Sequence, residues 1–562
     1  MRRRLIGLPG TGKTTRLLQY LDEILSQYSA RDIIYCSYSN AAVDEAKERV
    51  MEKFTIAEHD LMYFRTMHSL CLLILRQAKI KIGKKAAKPS DFRLFLENYQ
   101  ENNPDLEEFL EDMEILAGTS RFLTPEEKDD PLSFYTLGTH PETFFLHIFS
   151  YMYASFGSTP SQPKTFGPHI QSLRKRVQLS RSQMRKLISY LYLMEHAWKE
   201  FKQERDLFEF DELLVKTLQY QLVPRAKILI VDEYQDSSRI QSQLINFWAD
   251  SLEETIVAGD PNQAIYGFNG ASPEYLEHFK ADSSELLHQS WRVPAKVISY
   301  AQQILGNHWT EQMTTGSTSE GRVFHANWEE IPWSSYHSVF ILGRTRSILK
   351  EAQKVLSELG VINHLETSPL VRQFYQLYWN FLNQTPIEIN LLLTIKQSAK
   401  LFFSAQTATL LERIEEKETE AKKIPHYRPK QAERKLLEKI LGVSHPTQLF
   451  RKVVQFLPRA QEIVFRQLVS SNKPPLISTQ DQHISLMTMH ASKGKEAELV
   501  ILRNVASWYE KEGRTNDDEE ERIYFVAATR TKRDLIIVDF EKESFEPTKF
   551  LPAIEEMAMT EF

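Results

Sequence analysis

Cysteine is almost missing from this chain. Cys36 and Cys71 are the two in 562 residues, and they lack metal-ligand spacing. That excludes a disulfide framework and a cysteine-built zinc site, and it fits a reducing compartment, here expected to be the cytoplasm. Long apolar runs are missing too: none approaches the roughly 20 residues that span a bilayer, so no membrane partner is expected. The start, Met1-Arg2-Arg3-Arg4, carries the charge of a secretion signal. Gly7, Pro9 and Gly10 arrive before any apolar segment forms, so that reading fails. Strong basicity is also lacking. A net charge of −6 excludes a coat of cations but leaves room for a locally basic nucleic-acid channel.

What is present belongs to a globular protein of two to four domains, with 42% hydrophobic and 26% charged residues over 562 positions. The first forty residues predict strand, glycine loop, helix and strand. Further β-rich runs at 226–231 and 254–258 end on acidic residues, a pattern of parallel α/β sheets. Between about 76 and 204 the pattern turns helical, with basic clusters at Lys79, Lys81, Lys84, Lys85 and Lys88 and at Arg174, Lys175 and Arg176. Strand-like runs return at 338–342, 484–487, 499–502 and 535–538, and 381–479 is again helical, with a solvated stretch around Glu412 to Lys423. The expected organisation is therefore two α/β sheet domains, each holding a helical insertion. Residues 1–75 with 205–277 form the first, with insertion 76–204; 278–380 with 480–562 form the second, with insertion 381–479.

Gly7-Leu8-Pro9-Gly10-Thr11-Gly12-Lys13-Thr14, after a strand and opening a helix, has the form of a Walker A phosphate loop. Gly7, Gly10 and Gly12 let backbone amides approach phosphates, and the helix amino end adds a favourable dipole. Lys13 suits the β- and γ-phosphates, Thr14 suits Mg²⁺, and Thr15 follows in the first helical turn. Asp232-Glu233 ends the buried strand 226–231. There Asp232 suits the metal's shell and Glu233 suits a general base or water-positioning group. Such a pair alone equally suits a helix cap; the Walker A loop tips the reading toward nucleotide chemistry.

Val231-Asp232-Glu233-Tyr234-Gln235-Asp236 resembles motif II of the UvrD/Rep/PcrA family of superfamily 1 helicases. Other blocks follow in that family's order: Ser37 to Asn40, Thr66 to Leu70, Phe210 to Leu213, Gly259 to Ala271, Gln289 to Arg292, Gly343 to Thr345, Met487 to Glu496 and Tyr524 to Arg530. The resemblance implies two RecA-like P-loop motor domains with a nucleotide site between them. ATP with Mg²⁺ and single-stranded DNA or single/double-strand junctions are the implied ligands. Gln263 would sense the γ-phosphate, and Arg292 and Arg530 would be finger residues on it. Trp291 would stack on adenine and Glu496 would lie near the ribose. Tyr38, Tyr266 and Phe268 would stack on bases, with Asn40 and Arg344 also on the nucleic-acid path. Thr66, His68, Thr488 and His490 suit backbone phosphates or the relay of motion, while the two histidines equally suit structural roles.

The implied activity is an ATP-driven helicase or translocase of 3′-to-5′ polarity, acting as a monomer with replication or repair proteins as partners. The alternative is a single-strand-stimulated ATPase that remodels protein–DNA complexes or forks without processive unwinding. A P-loop kinase leaves the later blocks unexplained. The chain departs from the family at four places. Only six residues precede Gly7, so the adenine-reading glutamine motif has no counterpart and relaxed nucleotide selectivity is expected. Motif V reads Gly-Lys-Glu-Ala, and motif III has Gly267 and Asn269 where arginines are frequent. No glycine occurs between Gly360 and Gly442, so the family's duplex-binding hairpin is not evident.

Overall fold

The computed structural model describes residues 1–96, 141–157, 181–306, 313–358, 369–470 and 483–554, apart from 39, 55, 89–90, 93, 386, 400–401, 422–430, 433, 458–461, 463–464, 467–468, 512–515 and 540–545. The Arg174-Lys175-Arg176 cluster and residues 422–423 of the solvated stretch fall outside the described residues.

The chain divides into two compact units. The first holds Met1–Val323, Ala506–Arg533 and Glu546–Phe562, and the second holds Phe324–Val505 and Asp534–Phe545. Residues 278–323 and 506–533, grouped from the sequence with the second sheet, thus cluster with the first unit. The physical reason is pairing and packing: strand Ser283–Leu287 extends the first sheet, and helix Asp517–Ala528 packs on helix Ala295–Leu305.

The first unit is built on six parallel strands: β1 (Arg2–Gly7), β2 (Ile33–Ser37), β3 (Phe64–Thr66), β4 (Ile228–Val231), β5 (Glu254–Gly259) and β6 (Ser283–Leu287). Their order across the sheet is β3-β2-β4-β5-β1-β6. Period-two alternation gives the sheet two cores. Ile33, Tyr35, Ile228, Ile230, Ile256 and Ala258 pack with helices α1 (Lys13–Leu25) and α2 (Asn40–Phe54). Ile34, Cys36, Leu229, Val231 and Val257 face the other way. They meet α3 (Met67–Gln77), α6 (Phe210–Gln219) and α7 (Arg239–Ser251). Each such fully buried aliphatic side chain contributes roughly 1.5–3 kcal/mol. β6 reads Ser-Ser-Glu-Leu-Leu and stays largely open to solvent, as an edge strand should. That polarity hides it from a periodicity reading.

Helices α4 (Pro141–Phe156) and α5 (Arg181–Glu204) carry a separate aromatic core with Phe92, Phe145, Phe149, Trp198 and Phe201. Lys79, Lys81, Lys84, Lys85 and Lys88 are all exposed.

In the second unit, β8 (Ser338–Gly343) lies between two parallel partners, β9 (His483–Thr488) and β10 (Ala497–Arg503). β7 (Arg322–His325) and β11 (Thr531–Val538) complete the order β7-β11-β10-β8-β9. A helical cluster around Phe374, Phe402, Leu411, Leu441 and Leu449 forms its own core. No helix among the described residues is long and apolar enough to cross a membrane.

Candidate functional site

The carboxyl ends of β1, β4 and β5 are where open α/β sheets place ligands, and they carry the densest chemistry. After β1 the chain turns through Gly10 (φ 72°) and Gly12 (φ 83°), both left-handed. No side-chain cap covers the amino end of α1 at Gly12. A Cβ on Gly7 would lie 2.1 Å from Lys13 Cγ, so the lysine folds back over the strand end only because the position is glycine. Thr14 is half-buried and Thr15 exposed on the first turn of α1.

The segment after β6 is pinned onto this loop. Ser290 Oγ donates to Pro9 O at 2.7 Å and Trp291 N donates to Gly10 O at 2.9 Å. A Cβ on Gly10 would meet Arg292 Cβ at 2.6 Å, which sets Arg292 directly against the phosphate loop. Trp291 is 66% exposed beside it, an aromatic surface offered to a flat ligand.

Asp232, 6% exposed, accepts from Tyr35 Oη at 3.1 Å and from Glu233 N at 2.9 Å. Burial, and then the neighbouring Glu233 charge, push its carboxyl up to about 6, against the opposing pull of Lys13. Glu233 adopts a left-handed backbone at φ 55°, an uncommon conformation for a residue with a Cβ and one that clusters at functional sites. Its carboxylate lies 3.9 Å from Lys13 Nζ and accepts a bond from Gln235 Nε2.

From there a polar chain continues. Gln235 Oε1 accepts from Asp260 N at 3.1 Å, Gln263 Nε2 donates to Asp260 Oδ2 at 2.7 Å, and Arg530 Nη2 donates to Gln263 Oε1 at 3.0 Å. Arg530 is also held by Val526 O at 2.7 Å. Burial raises the Asp260 carboxyl, with Lys13 opposing. Gly259 admits this chain because a Cβ there would lie 2.3 Å from Gln235 Oε1. Lys13, Glu233, Gln263 and Arg530 are thus brought together within the first unit, linked by Gln235 and Asp260. Sequence reasoning quoted these last two inside motifs but gave them no role, because their partners sit on different strands.

A Mg²⁺ ion fits what is present: the Thr14 hydroxyl and the Asp232 carboxylate are hard oxygen donors beside an uncapped helix end.

A second group of residues is aromatic. Tyr38, 43% exposed, stacks on Tyr266 with ring centroids 5.1 Å apart and planes at 13°. Phe268 meets Tyr266 edge-on at 6.0 Å, and Asn269 Nδ2 donates to Tyr38 Oη at 3.3 Å. Asn40 is exposed at the start of α2. His68 lies edge-on to Phe210 at 6.0 Å and within 3.4 Å of Asp211 Oδ1, while Asp211 also accepts from Ser150 Oγ. Phe210 is 53% exposed and was named only within its block. Thr66 precedes α3 without capping it by a side-chain bond.

In the second unit, β8 and β9 end level with each other, Gly343 against Thr488. Arg344 therefore follows the same edge that carries Thr488 and His490, with Met489 N donating to Gly343 O at 3.0 Å. All three are buried, Arg344 to 1% exposure. Glu496 is exposed and precedes β10, whose Leu499 pairs with Val339. The register sets it at the opposite end of that sheet from Arg344.

The family model of the UvrD/REP helicase N-terminal domain matches residues 4–284, half of the chain. Among curated proteins, a probable DNA helicase II homolog of Mycoplasma pneumoniae is 21% identical, over 96% of this chain and 83% of that protein. The ATP-dependent DNA helicase srs2 of Schizosaccharomyces pombe is 23% identical over 64% of the chain. The ATP-dependent DNA helicase PcrA of Staphylococcus aureus is 21% identical over 53%. The alignments with these last two span only 41% and 37% of their lengths. With the phosphate loop, the acidic strand end and this match in agreement, the chain belongs to the UvrD/REP helicase family and is a superfamily 1 helicase enzyme.

Proposed function

We propose that the chain couples Mg-ATP hydrolysis to 3′-to-5′ movement along single-stranded DNA and so unwinds duplex, using two RecA-like motor domains. The observation that carries this reading is the polar chain from Lys13 and Glu233 through Asp260 and Gln263 to Arg530. It runs into the loop that bears Tyr266 and Phe268. Glu233 orients a water and takes its proton as the water oxygen bonds to the γ-phosphorus. The bond from that phosphorus to the bridging oxygen breaks, and ADP leaves with the electron pair. Lys13, Arg292 and Arg530 hold the charge that develops on the phosphoryl oxygens. Thr14 and Asp232 would hold Mg²⁺, which supplies further neutralisation of the phosphates.

Trp291 takes the base by stacking, and Glu496 is assigned to the ribose. Tyr38, Tyr266 and Phe268 take DNA bases at roughly 1–3 kcal/mol each, without sequence preference. Asn40, Thr66, His68, Arg344, Thr488 and His490 are assigned to the strand's backbone path. The protein is read as a cytoplasmic monomer.

The deciding experiment is steady-state ATP hydrolysis with and without single-stranded DNA for wild type, Lys13→Ala and Arg530→Ala. Strong DNA stimulation, lost in both variants, supports the motor. Hydrolysis indifferent to DNA, or surviving Arg530→Ala, overturns it. Translocation without strand displacement would move the remodelling reading ahead.

A further inference from the structure

Helix α8 (Asp517–Ala528) and the residues just after it touch the segment 263–267 at three places, and only one of them is explained by nucleotide chemistry. Beyond its carboxyl end, Arg530 binds Gln263. In its middle, Arg522 Nε donates to Ala264 O at 3.0 Å. In its first turn, Glu519 Oε1 accepts from Gly267 N at 2.9 Å. The last contact is close. A Cβ on Gly267 would lie 2.8 Å from Glu519 Oε2 and 2.9 Å from Oε1. Gly267 is not among the residues with positive φ, so glycine there supplies space and not conformational freedom. Its neighbours on either side are Tyr266 and Phe268, and Tyr266 is the residue stacked on Tyr38.

We propose that Glu519 and Arg522 are positioning residues that clamp the Tyr266–Phe268 loop to the helix leading into Arg530, so that nucleotide state and DNA affinity are set together. The clamp rests on the motor reading above and deepens it. A shift of Arg530 toward or away from a γ-phosphate carries α8 with it. Through two fixed bonds to the loop backbone, that shift moves the aromatic rings as a body. Arg530 engages the segment at Gln263, Arg522 at Ala264 and Glu519 at Gly267. Coupling of this kind is reciprocal: a nucleotide that changes DNA affinity by a given factor must have its own affinity changed by DNA by the same factor.

The test measures the dissociation constant of fluorescein-labelled oligothymidine by anisotropy, with and without Mg²⁺ and a non-hydrolysable ATP analogue, on the full chain. In wild type the analogue is expected to change DNA affinity at least about 5-fold. Glu519→Ala is expected to bring that ratio below about 2-fold while nucleotide-free DNA affinity and DNA-free ATPase stay within about 2-fold of wild type. Glu519→Gln, which keeps an oxygen to accept from Gly267 N, restores the ratio. Gly267→Ala, which displaces the carboxylate without removing it, falls between them and carries the test if Glu519→Ala does not fold. A wild-type ratio in both Glu519→Ala and Gly267→Ala overturns the clamp. So does a Glu519→Ala protein whose melting temperature and nucleotide-free DNA affinity fall together with the ratio, for then the role is merely structural. No DNA stimulation and no ratio in wild type overturns the motor reading itself and takes the clamp with it.

Discussion

The phosphate corner and the aromatic group lie on one unit yet are built by opposite rules. At the corner, Asp232, Asp260, Gln235, Gln263 and Arg530 are all buried, and each bonds to a defined partner. Burial strengthens every charge interaction there and makes any unpaired group costly. Tyr38 and Phe210 by contrast expose about half of their surface, and Tyr38, Tyr266 and Phe268 meet through ring contacts. Chemistry on one phosphorus atom needs fixed atoms. A surface for bases of any sequence needs flat faces and tolerance.

The comparison breaks most visibly at Lys13. Replacing it with alanine removes the cation nearest Glu233 and is expected to lower kcat for ATP hydrolysis about 100-fold or more, read as phosphate release; a loss under tenfold would place the phosphate site elsewhere. Gln235→Ala sharpens the comparison, because it removes two hydrogen bonds and no charge. It is expected to lower kcat about tenfold with little change in KM. An unchanged kcat would show that the Gln235 bond does not set Glu233 for the reaction.

On the aromatic side, Phe268→Ala is expected to weaken single-stranded DNA binding about 5- to 150-fold, from about 1–3 kcal/mol per stacked base. Titration of a labelled oligonucleotide measures it, and an unaltered affinity would move the track away from motif III. The smallest effect concerns stability. The folded pKa of Asp232, about 6, exceeds its ordinary 3.8, so the fold binds this proton more tightly than the unfolded chain. The stabilisation is full below about pH 4 and is lost as pH rises through about 6. Asp232→Asn should therefore raise the nucleotide-free melting temperature near pH 7 by about 2 °C or more, with little gain near pH 4. A gain equal at both pH values would mean that charge is not the cause.

The difference between the regions also explains what was legible in sequence. The Walker A loop is local: Gly7, Gly10, Gly12, Lys13 and Thr14 follow one strand and open one helix, and the structure builds that turn. Asp232 and Glu233 were legible because an apolar run stops there. The link from Gln235 to Asp260 was not, since neighbouring strands of a parallel sheet come from distant sequence. Nor was the seat of Arg292 on Gly10, a contact between residues 282 positions apart, from 10 to 292. The grouping of 506–533 with the first unit is equally non-local, because helix packing and not periodicity decides it. Arg344 shows the limit of motif position: the resemblance puts it on the nucleic-acid path, while packing buries it.

β1 occupies an inner position of its sheet, with β5 on one side and β6 on the other. Its partners begin at Thr255 and Ser283. During synthesis the strand that leads into the phosphate loop is therefore made well before either of its sheet neighbours. At about 5–20 residues per second, β1 waits roughly fifteen seconds to a minute for both neighbours. Over that interval both of its edges lack their parallel partners. Slow loop closure over such a span makes the strand under the nucleotide site a late one to gain both of its neighbours.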